Sequence, residues 1–300
     1  MHALAADCCL NVGEDAHSSY KLTYPTLLVI DMPTPSYRTV LITGASSGIG
    51  AEYARQLASK GSNLVLVARR KVKLESLAAE LQQKFSISAD IFPADLSVSE
   101  DVTRVEAKLA GIPDLDLLVN NAGFGTASRF YDGEPQSHFN MLQVHIIASV
   151  LLARSALLGM VARKRGRIIN VASVSAFLPF GSVLYPSTKA FLVSFSQALQ
   201  TELHGTGVRV QALCPGFTYT EFHDVIYMDR KIVPKFAWMS PDRVVSTSLK
   251  ALPRGPVIVV PGWQYRLIVC LARFPLSSSI VQRVAASSFF KRRIIHDQHS

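Results

Sequence analysis

The sequence predicts an α/β fold, a single doubly wound parallel sheet of about seven strands with helices on both faces. Three observations carry this expectation. Short runs of Val, Ile and Leu recur along the chain, each bounded by glycine or polar residues, as in strands buried on both faces. Between them lie longer segments with apolar residues at helical spacing. The first run, Thr39-Val40-Leu41-Ile42, leads into the glycine-rich Thr43-Gly44-Ala45-Ser46-Ser47-Gly48-Ile49-Gly50, the strand-turn-helix seed of such sheets.

The regular pattern starts at Arg38. Residues 39–42 read as a buried parallel strand, and a helix over 50–60 follows, closed by Gly61. A second strand covers 63–68. The helix over 71–84 is amphipathic, with Leu74, Leu77, Ala78 and Leu81 on one face. A third strand (89–93), a third helix (99–110) and a fourth strand (115–119) come next. A long helix spans roughly 137–163, then a strand over 166–172, a helix over 185–204, a strand over 208–213 and a seventh strand over 257–260. No internal repeat or linker interrupts 38–262. The expected organisation is a poorly ordered extension over 1–36, a dinucleotide-binding catalytic domain over 37–262 with a substrate lid over about 217–240, and a basic amphipathic tail over 263–300. Met32, just before the first strand, is an alternative start.

Composition narrows the class. Apolar residues at 49% and charged residues at 18% suit a folded chain with a large core. Runs such as Leu64-Val65-Leu66-Val67 are too short to cross a bilayer, and the N-terminus lacks the pattern of a secretory leader. Cys8, Cys9, Cys214 and Cys270 have no metal-ligand spacing and read as reduced thiols in the cytoplasm. The net charge is +9, and the tail from Trp263 holds six basic residues against one acid, Asp297. No nucleic-acid-binding signature accompanies it, so no nucleic-acid partner is expected. The stretch 265–290 alternates apolar blocks with arginines. It would suit peripheral contact with an anionic membrane, packing on the body, or a dimer interface.

Four motifs carry chemistry, and each falls at a predicted strand end, where open α/β sheets bind ligands. In the glycine turn, Gly44, Gly48 and Gly50 let backbone approach a pyrophosphate at a helix N-terminus. Arg69 and Arg70 end the second strand. An acid there would hold ribose hydroxyls, whereas arginine accommodates a 2′-phosphate, so NADP(H) is expected over NAD(H). Asp95 follows the third strand, placed to accept from an adenine amino group. Asn120-Asn121-Ala122-Gly123 follows the fourth, with a small Ala122-Gly123 step for the cofactor to lie against. Ser173 closes the fifth strand, placed to bond a carbonyl oxygen. Twelve residues later comes Tyr185, with Lys189 four beyond it on the same helix face. A neighbouring cation favours phenolate, so the pair is expected to lower the Tyr185 pKa and make it an acid/base near neutral pH.

The glycine turn, the Asn120 to Gly123 run, Ser173 and the Tyr185/Lys189 pair, in this order over roughly 38–262, resemble the short-chain dehydrogenase/reductase family. Within it, 170–180 and 205–222 are similar to a bacterial-type branch of uncharacterised oxidoreductases, itself similar to ketoacyl reductases and hydroxysteroid dehydrogenases. The resemblance implies that Tyr185 is the general acid/base, that Lys189 binds the nicotinamide ribose, and that Ser173 positions the carbonyl. It implies that Ser46, Ser47, Gly48 and Ile49 line the pyrophosphate, and that Pro215, Gly216 and Thr218 contact the nicotinamide end. It also implies a homo-oligomer. Two departures stand out. His145 occupies the slot of the family's asparagine, either as a proton relay or as a packed histidine. The Ser173–Tyr185 spacing is one residue short, which makes Ser175 the fallback for Ser173.

The expected activity is hydride transfer between NADP(H) and a carbonyl or secondary alcohol. Phe217, Tyr219, Phe222, Ile226, Tyr227, Met228, Ile232, Val233, Phe236, Trp238 and Met239 in the lid, with Phe177, Leu178 and Phe180 opposite, point to a lipophilic ketone or ketoacyl substrate. Packing of these groups against the core is the plainer alternative. A membrane-associated lipid reductase and a non-catalytic nucleotide sensor on the same fold are the rival readings.

Overall fold

The computed structural model of the chain describes residues 37–126, 130–178, 182–222 and 233–273. The expected extension over 1–36, the tail beyond 273, and the lid and wall residues Phe180, Ile226, Tyr227, Met228 and Ile232 lie outside the described residues.

The described residues form a seven-stranded sheet in the order β3-β2-β1-β4-β5-β6-β7: β1 (Thr39–Thr43), β2 (Asn63–Ala68), β3 (Ala89–Pro93), β4 (Leu115–Asn120), β5 (Gly166–Val171), β6 (Val208–Leu213) and β7 (Ile258–Val259). Every pairing is parallel. The helices are α1 (Gly48–Ala58), α2 (Lys71–Phe85), α3 (Ser99–Ala110), α4 (Pro135–Leu142), α5 (Ala148–Ala162), α6 (Leu184–Glu202), α7 (Pro241–Ala251) and α8 (Trp263–Arg273).

The period-2 pleat sorts the strand residues onto two cores. Val40 and Ile42 of β1 and Leu64 and Leu66 of β2 join α1, α2 and α7 in one cluster, through Leu57, Leu74, Leu81 and Leu249. Leu41, Val65 and Val67 face the other way, toward Val105, Leu152, Met160 and Leu199 of α3, α5 and α6. Strands covered on both faces have no polar side, which is why they read as continuous apolar runs.

The long helix expected over 137–163 is three segments. A π-helical turn over Gln143–Ile147 separates α4 from α5 and carries His145 into the interior. Such turns insert an extra residue and occur often at functional sites. Contrary to the expectation from short apolar runs, the combined helix Pro135–Ala162 is long and apolar enough to span a bilayer. Here it is a core helix, burying Val144, Leu152, Ala156 and Met160 against the sheet. At the other end, α8, expected to begin the tail, packs on the body through Tyr265 and Val269, while Trp263, Leu267, Ile268 and Leu271 face outward.

The strand order reverses between β1 and β4. The crevice outside their C-terminal ends, where the two connections diverge, is the ligand site of doubly wound sheets.

Candidate active site

The glycine turn leaves β1 with Gly44 at φ 65° and Gly48 at φ 56°, left-handed backbone that glycine adopts without a Cβ penalty. Gly50 is demanded by contact, since a Cβ there would lie 2.3 Å from the Gly44 carbonyl oxygen. Asn121 supports this turn. Its side-chain amide donates to the Thr43 and Gly44 carbonyls at 2.9 and 3.2 Å, and the N–H groups of Asn121 and Ala122 donate to Thr43 Oγ1. Asn121 therefore shapes the cradle from behind. Ile49 packs on the core, while Ser46 and Ser47 are half-buried and their hydroxyls meet Arg70.

Beside the turn, the two arginines after β2 take different jobs. Arg70 donates to Ser46 Oγ through Nε and an Nη, at 3.2 and 2.9 Å, and to Ser47 Oγ at 2.7 Å. Arg69, which the sequence places in the phosphate-binding slot, is mostly exposed and lies 3.7 Å from Asp95. The basic contact to the turn is thus made by Arg70. Asp95 Oδ1 accepts from the backbone N–H and hydroxyl of Ser97.

At the ends of β4 and β5 the reacting groups meet. Tyr185, at the start of α6, lies beside Ser173, which pulls the phenol pKa down. Ser173 Oγ accepts the Ser175 N–H at 3.1 Å, which leaves the serine proton for the phenol oxygen or a substrate. Of the two serines, Ser173 is the one that acts on the Tyr185 phenol, and the fallback Ser175 keeps its Oγ without a hydrogen-bond partner among the described residues. Lys189 is one turn along α6, buried, with Nζ 5.5 Å from the Tyr185 ring centroid and donating to the Val171 carbonyl at 2.9 Å.

The pKa expectation for Tyr185 does not hold. Burial pushes the Tyr185 phenol up to about 12, against the downward pull of the neighbouring Ser173. Burial also brings the Lys189 ammonium down to about 8. The low dielectric penalises both charges, and the ammonium is aimed at a backbone carbonyl rather than at the phenol oxygen.

His145 is fully buried between these groups. Its Nε2 accepts the Phe124 N–H at 3.0 Å, so Nδ1 carries the proton and donates to Thr188 Oγ1 at 2.8 Å. Thr188 Oγ1 in turn donates to the Tyr185 carbonyl at 2.8 Å. Both ring nitrogens are occupied by protein, so neither is open to a relaying water. These are the contacts of a packed histidine. Burial, reinforced by the Lys189 charge, holds its pKa well below the usual histidine value. Gly123 passes over the ring, where a Cβ would lie 2.9 Å from Nε2 and 3.3 Å from Lys189 Nζ.

The loop after β6 completes the crevice. The Pro215 carbonyl accepts the Val174 N–H, which ties this loop to the Ser173 segment. Thr218 Oγ1 donates inward to the Gly216 carbonyl, and Gly216 lies flat under Tyr265, whose ring carbons would be 2.1–2.3 Å from a Cβ. Tyr265 also joins two described stretches of the segment expected to be a lid, accepting the Phe217 N–H at 3.0 Å and donating to the Ala237 carbonyl. Nothing in the local sequence around Tyr265 signals this, because its partners are remote in the chain. Of the described aromatic residues expected in the lid, Phe222 stands against Tyr185, with ring centroids 5.4 Å apart. Phe217 and Tyr219 pack on Trp238, and Trp238 and Met239 are buried, so these follow the plainer packing alternative. Phe236 is exposed.

The glycine cradle, the Arg70–serine group and a buried ammonium with one acceptor among the described residues fit a phosphorylated dinucleotide with ribose hydroxyls. The described residues contain no cluster that could hold a metal ion. The sequence profile described as short chain dehydrogenase matches residues 38–231. A serine 3-dehydrogenase of Agrobacterium fabrum is 40% identical over 195 residues, 61% of this chain and 73% of that protein. The Homo sapiens very-long-chain 3-oxoacyl-CoA reductase is 31% identical over 248 residues, 76% of this chain and 77% of that one. Among solved structures, a short-chain dehydrogenase from Sphingobium yanoikuyae in complex with NADPH superposes with a TM-score of 0.73 at 33% identity, covering 83% of this chain and 96% of the other.

Proposed function

The chain belongs to the short-chain dehydrogenase family, and from that premise we propose that it is an NADP(H)-dependent oxidoreductase interconverting a lipophilic ketone and its secondary alcohol. The observation that carries this is the juxtaposition of Tyr185 with Ser173 and with the buried Lys189, whose Nζ is 5.5 Å from the Tyr185 ring centroid. Bound cofactor would exchange a hydride with the carbonyl carbon. The chain's residues do the rest. Tyr185 keeps its proton in the free protein and donates it to the carbonyl oxygen in reduction. Ser173 is a second donor to the same oxygen. Lys189 holds ribose hydroxyls and supplies positive charge near the phenol as the proton leaves. His145 and Thr188 hold Phe124 and the first turn of α6 in place. Arg70, Ser46 and Ser47 favour a cofactor with a 2′-phosphate, in line with the NADPH complex of the Sphingobium relative.

The lipophilic assignment rests on Phe222 over Tyr185 and on the apolar content of the lid. The two curated relatives are named for very different substrates, a serine and a long acyl chain. A membrane-associated variant of the reading, with a lipid-like substrate, draws on the outward row of Trp263, Leu267 and Leu271 on α8. Cys214 and Cys270 as thiols suit a cytoplasmic setting. The outward Leu158 and Val161 of α5 and Phe191 of α6 suit a face shared between copies of this chain.

The test is NADPH oxidation by purified protein with a panel of lipophilic ketones, with serine as the polar comparison. Turnover with lipophilic ketones is expected, and Tyr185→Phe should lose nearly all of it while keeping NADPH affinity. Undiminished turnover in Tyr185→Phe would falsify the mechanism.

A further inference from the structure

Building on the NADP(H) reading above, we propose that Glu221 is an internal stand-in for the cofactor's 2′-phosphate, a carboxylate seated between Arg70 and Lys73 that the phosphate must displace in order to bind. Glu221 lies 151 residues from Arg70 in sequence, on the loop after β6. Its Oε2 accepts from Arg70 at 2.7 Å and its Oε1 from Lys73 at 2.6 Å. The remaining Arg70 donors hold Ser46 and Ser47 of the glycine turn. One carboxylate therefore closes a cationic seat lined by the groups suited to a 2′-phosphate. Lys73, in the first turn of α2, joins Arg70 as a phosphate ligand that the reading of the strand-end arginines does not include.

The loop also lies directly on the turn. A Cβ at Gly48 would come within 3.0 Å of Thr220 Cγ2, the residue before Glu221. A cleft of about 140 Å³ lined by Ser46, Lys73 and Ser76 adjoins the seat. The Lys73 and Arg70 bonds hold the Glu221 carboxyl down at about 2, so it is charged at any working pH. All three ionic side chains are nearly half exposed, and exposed pairs of this kind are weak. The latch is thus easy to release. A phosphate monoester carries more charge and three acceptor oxygens, against two in the carboxylate, so it can satisfy Arg70, Lys73 and the serine hydroxyls together.

Release has a consequence for the substrate side. Phe222, the next residue, stands against Tyr185, and Tyr219, two residues earlier, stacks on Trp238 with ring centroids 4.9 Å apart. Occupation of the phosphate seat would free the loop that forms the wall beside Tyr185. Cofactor binding and the substrate site would then be coupled through one carboxylate.

Isothermal titration of the full chain with adenosine 2′,5′-bisphosphate and adenosine 5′-monophosphate tests this. Glu221→Gln should bind the bisphosphate about three- to tenfold more tightly, the scale of two exposed ion pairs, with the monophosphate unchanged. Glu221→Ala should do the same, which separates charge from the shape of the amide. Lys73→Met should weaken the bisphosphate more in the Glu221→Gln background than in the wild type, because the wild-type lysine is partly occupied by Glu221. If the wild type prefers the bisphosphate but Glu221→Gln and Glu221→Ala bind it no more tightly, the latch is wrong and the NADP(H) reading stands. If the wild type does not discriminate between the two probes, both are overturned.

Discussion

His145 Nε2 accepts the backbone N–H of Phe124 at 3.0 Å, joining the π-helical turn between α4 and α5 to the strand end that leads into the crevice. With Nδ1 bound to Thr188, the ring is held neutral in one tautomer. This sets a pH dependence. In the folded protein His145 stays unprotonated well below the ordinary histidine value, whereas the unfolded chain binds a proton near pH 6.5. Its contribution is therefore intact above pH 6.5 and declines as pH falls below it, by up to about 1.4 kcal/mol per pH unit. Urea denaturation at several pH values from 5 to 8 should show this decline in the wild type and a shallower one in His145→Gln. Parallel curves for the two proteins would rule it out.

Lys189, not Tyr185, should set the alkaline limit of cofactor use by the free enzyme. Its ammonium is brought down to about 8 by burial, while the phenol is pushed up to about 12. The charged lysine is needed, so kcat/KM for NADPH should fall as pH rises through about 8, since this ratio reports groups of the free enzyme. Lys189→Arg should carry the residual activity to higher pH without that limb. A descending limb unmoved by Lys189→Arg would assign it elsewhere.

Gly50→Ala should damage the nucleotide site more than the fold. Its Cβ would lie 2.3 Å from the Gly44 carbonyl oxygen, so the turn must shift. Overpacking of this kind costs roughly 1–3 kcal/mol, and NADPH affinity measured by fluorescence titration should fall about tenfold or more. Wild-type affinity would show that the turn has slack enough to admit the methyl group.

Tyr265→Phe removes the hydroxyl that bridges Phe217 and Ala237 but keeps the ring over Gly216. Losing a hydrogen-bonding bridge costs about 1 kcal/mol. The expected effect is a rise of about fivefold in KM for the ketone with little change in NADPH affinity. Equal losses for ketone and cofactor would mean a general loss of structure instead.

Leu158→Glu should disperse an oligomer if the outward α5–α6 face is shared between copies. Leu158 is 67% exposed and lies one turn from Val161 on α5. Light scattering coupled to gel filtration should give a larger mass for the wild type than for the variant. The same mass for both would place any interface elsewhere.

Much of this protein is determined by local sequence. The apolar runs and the glycine turn specify parallel strands and the crevice, because a strand covered on both faces draws apolar residues to both of them and a backbone packed on itself needs glycine at Gly50. Tyr185 and Lys189 are legible together because one helical turn separates them. The tertiary structure decided what those groups meet. It made Arg70 rather than Arg69 the partner of the glycine turn, filled both nitrogens of His145, and raised rather than lowered the Tyr185 pKa. It also brought Glu221 to Arg70 and Tyr265 to Gly216 across long stretches of chain. The physical reason is common to all of these. Desolvation and the direction of a side chain depend on neighbours contributed by distant segments, and spacing along one segment carries no record of them.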